Sequence, residues 1–511
     1  MINRILTILT VVALLSLACS PDASKPTGIV IVNARVIDGS GGPSRNVNVR
    51  IVGERIDRLG DFEPSAKDSM VDADGLVLAP GFVDTHSHHE DGLLETPGAL
   101  ATVNQGITTI AAGQDGGQVY PLSKLFADLE ASPAAINVAS YAGHGTLRGK
   151  VLGEDYRRHA TPDEVQAMVA LLRTEMKAGA LGLSTGLEYD PGSFSNTGEL
   201  VELAKEAALH GGRYISHIRS EDQYFWEAID EAIHIGRETG IPVQVSHIKL
   251  AMTRWWGQAD RLKRKLDNAR ASGVDITADI YPYRVWQARF SWLATLFPDR
   301  DLERRDGAVY VLRDVLSPEG IMIPNFLPEP AYNGMTIAEI AELRDSDAET
   351  TLMDLLKADI EMGGRSTMLG FAMDESDIES IMAWPHTVIG SDGELSGPHP
   401  RGFGAFTRFL GHYIRDRKVV ELEEGIRKMT SLSAQQIGIT ERGLIKEGHY
   451  ADLVLFDPAT VKDRSTARDP HLTSVGMEKV WVNGQLVFAD GQVTGNRPGN
   501  VIRRIDTGSI Q

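Results

Sequence analysis

From about residue 78 to about residue 436, short apolar runs of strand length alternate with longer stretches whose apolar residues recur every three or four positions. Thr108-Thr109-Ile110-Ala111-Ala112, Leu181-Gly182-Leu183-Ser184, Tyr214-Ile215-Ser216 and Val243-Gln244-Val245-Ser246 read as buried strands, and 162–178 and 197–210 read as helices. Repeated strand–helix units place parallel strands under helices, and this many units fit a closed α/β barrel, (β/α)8 and TIM-like, better than an open sheet. The rhythm breaks over about 284–384, where Trp286, Phe290, Trp292 and Phe297 precede proline-rich turns. That break predicts an insertion capping the barrel mouth.

On either side of this region the period changes to two. Residues 28–77 carry three short alternating runs separated by glycine-rich turns, and 437–511 carry a matching pattern in Ala451-Asp452-Leu453-Val454-Leu455-Phe456 and Val480-Trp481-Val482. Neither piece looks complete alone, so one small β-sandwich formed by both termini is expected.

Residues 1–18 differ from everything after them: Arg4, then an apolar run from Ile5 to Leu17, then Ala18. This is the pattern of a secretory signal peptide, too short to span a bilayer well. Leu15-Ser16-Leu17-Ala18-Cys19 resembles a bacterial lipobox, with Ser16 where a large aliphatic residue is usual. The expectation is a lipidated Cys19, a flexible tether over 19–27, and a place in the bacterial cell envelope, periplasm-facing or extracellular. A conventional leader with an incidental cysteine is the competing reading. Cys19 is the single cysteine, so an internal disulfide is excluded. Composition adds that the 511-residue chain is an ordinary globular one, 42% hydrophobic and 24% charged. Its net charge of −19 argues against nucleic acid as a partner, since phosphate binding needs a basic face.

Candidate chemistry centres on His86 and His88. On a strand alternate side chains face the same way, so this pair can present two imidazoles to one metal. The spacing alone is weak, because 14 histidines in this length supply ~0.4 such pairs by chance. Context strengthens it: His217 and His247 each finish a later β run, and Asp392 finishes Val388-Ile389-Gly390-Ser391. In a barrel these strand ends converge on one catalytic face.

With those residues in place, the chain resembles the amidohydrolase superfamily, in its D-aminoacylase or N-acyl-D-amino-acid deacylase branch. The carrying segments are Ala79-Pro80-Gly81-Phe82-Val83-Asp84-Thr85-His86-Ser87-His88, Gly143-His144-Gly145-Thr146-Leu147-Arg148, the run 179–187, Ser246-His247-Ile248-Lys249, Gly390-Ser391-Asp392-Gly393 and His399-Pro400-Arg401. The resemblance implies that His86 and His88 on the first strand, His217 on the fifth, His247 on the sixth and Asp392 on the eighth surround one or two divalent metals. Zinc is the usual ion, with Mn2+ or Co2+ as alternatives. One departure concerns a Gly-Asn-Cys-Gly turn that carries a cysteine ligand in such D-aminoacylases; here it reads Gly113-Gln114-Asp115-Gly116. Either Asp115 or Glu188, a carboxylate near the expected fourth strand end, can bridge two metals in its place.

The ligand set predicts hydrolysis of an amide by metal-activated water, with Asp392 as general base and then general acid. A free carboxylate on the substrate needs cationic partners, and Lys249, Arg219 and Arg401 each lie two positions after a motif histidine. Tyr283 resembles a substrate tyrosine of the family, and His144 and His399 are further pocket candidates. His89 and Glu90 read as groups that orient the ligands, while the remaining histidines read as surface or helix residues. The expected partner is a small N-acyl amino acid or a short peptide. The competing functions are a dipeptidase, another amide or lactone hydrolase, and a binding lipoprotein without catalysis.

Overall fold

The computed structural model describes residues 27–504, so the expected leader, Cys19 and most of the tether lie outside the described residues. Eight parallel strands make the body of the molecule: Phe82–Asp84, Ile107–Ala112, Asn137–Ser140, Gly182–Gly186, Arg213–His217, Val243–Val245, Ile276–Ile280 and Thr387–Ile389. The third resumes after Tyr141 as Ala142–Gly143, pairing with the second strand below the break and with the fourth above it. The ring closes between the eighth and first strands. There Ser391 N–H donates to Asp84 Oδ1 (2.8 Å), Asp392 N–H to the His86 carbonyl (2.8 Å) and His88 N–H to the Gly393 carbonyl (2.9 Å). This is the TIM-like barrel that the strand–helix alternation predicts.

Local signals decide where the outer helices begin and end. Pro162–Ala178 starts at Thr161, whose side chain accepts from Glu164 N–H while the Glu164 carboxylate accepts from Thr161 N–H. It stops at Gly179, where φ of 110° suits only glycine well. Asn196 caps Thr197–Leu209 by accepting from Glu199 N–H (3.0 Å), so that helix begins where the sequence pattern places it. In the barrel wall, a Cβ on Gly182 would lie 1.9 Å from the Arg213 carbonyl oxygen, so glycine permits the close pairing of the fourth and fifth strands.

Both termini build the sandwich. Arg55–Gly60, Asn48–Val52, Ile29–Val32 and Ser69–Asp72 form one sheet. In the other, Leu453–Phe456 from the C-terminal segment pairs antiparallel with Val77–Pro80 from the N-terminal one, Leu453 opposite Pro80 and Phe456 opposite Val77. Ile31, Val49, Ile51, Leu78, Leu453, Leu455 and Trp481 pack between them. Two boundaries move from their expected places. Val77–Pro80 belongs to the sandwich, so the barrel begins at about Gly81 rather than at 78. At the other end, residues 499–504 leave the sandwich and cross the barrel floor, with Val138 N–H donating to the Asn500 carbonyl (3.0 Å) and Ile502 N–H to the Val138 carbonyl (2.8 Å). Ile502 and the helix Ser431–Ile437 thereby close the floor against Val83, Ala111, Ala139 and Ile215.

Between the seventh and eighth strands the insertion forms its own four-stranded sheet over its own core, in which Trp286, Phe290, Leu293, Val315 and Phe326 are buried. It is shorter than expected. The helix Glu375–Met382 buries Ile378, Ile381 and Met382 in the barrel core and leads directly into the eighth strand.

Candidate metal centre

At the C-terminal end of the strands, His86, His88, Asp115 and Asp392 bring one ligand atom each to a common point, with all these atoms within 4.8 Å of one another. His86 Nε2 lies 3.5 Å from Asp115 Oδ1 and 3.6 Å from Asp392 Oδ1, and His88 Nε2 lies 3.3 Å from Asp115 Oδ2 and 3.4 Å from Asp392 Oδ1. A second group, Asp115, His217 and His247, shares the Asp115 carboxylate with the first. His247 Nε2 lies 3.5 Å from Asp115 Oδ1 and 3.1 Å from His217 Nδ1.

The chemistry of these donors fits a divalent metal such as zinc. Both ring nitrogens of His86 and Asp115 Oδ1 are buried and accept or donate no hydrogen bond, an arrangement that is costly unless a cation satisfies them. The carboxylates act in the same direction. Burial alone would push the His86 imidazolium down, but Asp115 and Asp279 outweigh it and hold its pKa at about 10. Burial would likewise raise Asp392, yet the Arg401 guanidinium paired with it, together with His247, holds its carboxyl far below the usual range.

Backbone geometry marks the same residues. Asp115, His247 and Asp392 have φ of 53°, 32° and 49°, in the left-handed region that non-glycine residues seldom occupy. Such strain persists where surrounding structure over-determines it and concentrates at functional sites. Gly116, with φ of 76° and no room for a Cβ against Gly186 N at 2.9 Å, lets the Asp115 turn press onto the fourth strand end.

Further carboxylates stand around the histidines, Glu188 among them. Glu188 Oε2 lies 3.0 Å from His217 Nε2, on the side of the ring away from Asp115, and its Oε1 accepts from Glu221 N–H (2.7 Å). Glu221 Oε1 lies 3.0 Å from His247 Nδ1. The remaining ring nitrogens, His217 Nδ1 and His247 Nε2, meet each other at 3.1 Å, and His217 Nδ1 also lies 3.1 Å from the Tyr189 hydroxyl. Glu188, His217 and Glu221 also stand close enough to form a group of their own. Glu221 is absent from the sequence-based candidates, and so is Asp279, which accepts from His247 N–H (2.7 Å) and Gln244 Nε2 (2.6 Å). A carboxylate inside the apolar seventh strand was the one signal for Asp279; Glu221 had none beyond its nearness to His217. His89 and Glu90 brace loops instead of holding a ligating imidazole: His89 Nε2 is 3.0 Å from the Gly402 carbonyl, and Glu90 accepts from Gly113 N–H (3.0 Å).

The substrate candidates divide. Lys249 and Arg401 line the cavity in front of the centre. Lys249 Nζ donates to Glu221 Oε1 (2.5 Å) and the His247 carbonyl (3.0 Å), and both cations lie over the Tyr281 ring. Four others do not reach the cavity. Tyr283 points away to Asp463 Oδ2 (3.2 Å), because Tyr283 N–H bonds back to the Tyr281 carbonyl (3.0 Å) and turns the chain; Tyr281 lines the cavity instead, its hydroxyl buried and unpartnered. Arg219 turns outward to Glu231 Oε2 (2.8 Å) and the Ser195 carbonyl (3.1 Å). His144 is fully buried against Glu199 Oε1 (2.8 Å), which also pairs with Arg148. His399 supports Arg401, its Nδ1 accepting from Arg401 N–H (3.0 Å) while its Nε2 lies 2.9 Å from the Val285 carbonyl.

Comparison with known proteins agrees with this architecture. The pattern of the amidohydrolase family covers residues 69–311 and 331–488. An N-acyl-D-glutamate deacylase of Alcaligenes xylosoxydans xylosoxydans is 38% identical over 500 residues, spanning 93% of this chain and 96% of that protein. The crystal structure of an N-acyl-D-glutamate deacylase from Bordetella bronchiseptica, complexed with zinc and a phosphonate inhibitor, superposes with a TM-score of 0.82 at 34% identity, covering 94% of this chain and 100% of that one. A D-aminoacylase whose binuclear metal centre has been described superposes at 0.81 with 34% identity and the same coverage. With a family pattern that covers most of its length and near full-length relatives at 34–38% identity, the chain belongs to the amidohydrolase family.

Proposed function

We propose that this protein is a metal-dependent deacylase that hydrolyses the amide bond of N-acyl-D-amino acids. The observation that carries the reading is Asp115, whose carboxylate belongs to both ligand groups while Lys249 and Arg401 present positive charge to the same cavity. The deacylase activities of the relatives support the bond type and the D configuration. In this reading His86, His88 and Asp392 would hold one ion and His217 and His247 a second, with Asp115 a member of both groups. Glu188 orients His217, and Glu221 orients His247.

The chemistry zinc supplies when bound there is polarisation of the amide carbonyl and activation of water. Asp392, kept ionised by Arg401, accepts the proton that water loses as the new C–O bond forms, and passes it to the nitrogen as the C–N bond breaks. Lys249 and Arg401, with the Tyr281 hydroxyl, receive the substrate carboxylate. Metal-loaded protein should release free amino acid from N-acetyl-D-amino acids and not from their L counterparts. Activity confined to cyclic amides, lactones or dipeptides would overturn the reading.

We further propose that the mature chain is a lipoprotein of the bacterial cell envelope, anchored through Cys19. The lipobox-like run before that residue supports it. Full-length protein expressed in a bacterium should incorporate labelled palmitate and sediment with membranes, and Cys19→Ser should abolish both; a soluble, unlabelled parent protein would sink the idea.

A further inference from the structure

Resting on the deacylase reading, we infer that the enzyme selects N-acyl-D-amino acids with an apolar side chain and rejects acidic ones. In an amino acid the side chain branches from the carbon that bears the carboxylate, so it falls beside the cation that receives that carboxylate, whereas the acyl group lies across the scissile bond toward the ligand cluster. Ala251 and Met252 follow Lys249 by two and three residues, and both line the cavity. Trp286, Trp292 and Val315 of the insertion continue that wall. The two indoles meet edge to face with centroids 5.5 Å apart, and Met252 and Val315 are each only 1% exposed over the whole residue, so the wall is packed rather than adjustable.

Charge points the same way. Among the described residues lining the cavity, Lys249 and Arg401 are the two lysine or arginine side chains, and both are engaged by the carboxylate that every amino acid carries. A second carboxylate on the substrate would find no further cation there. It would instead meet Asp91, Asp222 and Glu394, which line the same cavity outside the ligand groups. Burying an unpaired carboxylate beside like charges is strongly unfavourable, while an apolar side chain gains by leaving water against the tryptophans.

The test is a panel with the acyl group fixed as acetyl and the side chain varied, on the zinc-loaded full protein. The kcat/KM for N-acetyl-D-phenylalanine and N-acetyl-D-methionine should exceed that for N-acetyl-D-glutamate and N-acetyl-D-aspartate by roughly 100-fold, the scale on which pocket contacts discriminate substrates. Trp292→Ala should shrink the preference for D-phenylalanine about tenfold, chiefly by raising KM. Calorimetry should give the same order for the product amino acids, with D-phenylalanine binding more tightly than D-glutamate. Equal or better turnover of the acidic substrates would overturn this assignment and leave the deacylase reading standing. No turnover of any N-acetyl-D-amino acid, with another amide or a lactone hydrolysed instead, would remove the deacylase reading and this inference together.

Discussion

The two ends of the barrel are made by the same eight strands, yet they are built on opposite principles. At the floor, Val83, Ala111, Ala139 and Ile215 close around Ile502 and Ile437, each apolar and at most 1% exposed. At the mouth, a few residues further along those strands, His86 has two unpartnered nitrogens, carboxylates gather, and three ligand candidates take left-handed backbone angles. The floor therefore contributes stability, in part to hold together a mouth that is unfavourable without a cation. This comparison also separates the effects of mutation, since damage at one end should be read mainly in folding and damage at the other mainly in turnover.

Removing the metal tests the mouth most severely. Chelation should abolish nearly all turnover and lower the melting temperature, because a ligand at 1,000 times its Kd stabilises the native state by about 4 kcal/mol. Zinc should restore both; full activity in metal-free protein would contradict the ligand assignment. Next in size, Asp392→Asn should cut kcat by roughly 100- to 10,000-fold, the range typical of a lost acid–base group. Metal analysis should find that variant still loaded, and a near wild-type rate would take Asp392 out of the proton transfer.

Glu221→Gln tests the layer behind the ligands. It weakens the acceptor on His247 Nδ1, so metal affinity should fall about 10- to 100-fold by competition with a chelator, with activity recovered at saturating zinc. An unchanged affinity would mean that Glu221 serves only Lys249. The smallest effect on catalysis belongs to the floor: Ile502→Ala should cost about 2–5 kcal/mol in denaturant unfolding while kcat/KM of the folded enzyme stays near the parent value. A large loss of turnover without loss of stability would show that the two ends are not separable.

Much of the mouth was legible in the sequence because strand ends are a topological feature. His86, His88, His217, His247 and Asp392 each terminate an apolar run, and parallel strands in one barrel carry such ends to one face. Pairing by an offset of two was less dependable. It placed Lys249 and Arg401 in the cavity but misplaced Arg219, and the family likeness misplaced Tyr283, because the alternation of side chains holds only while the backbone stays extended. Beyond the seventh strand, the bond from Tyr283 N–H to the Tyr281 carbonyl reverses the facing of the two rings.

The sequence by itself thus determined the barrel, the sandwich shared between the termini, and five of the residues at the mouth, since each follows from local periodicity and strand order. Tertiary structure alone decided that Asp115 belongs to both ligand groups while Glu188 meets His217 Nε2, that Glu221 and Asp279 complete the surroundings of His247, and that residues 499–504 close the barrel floor. Those outcomes depend on distances of a few ångströms between side chains far apart in the chain, set by how strands and turns pack together, and no local pattern of residues encodes them.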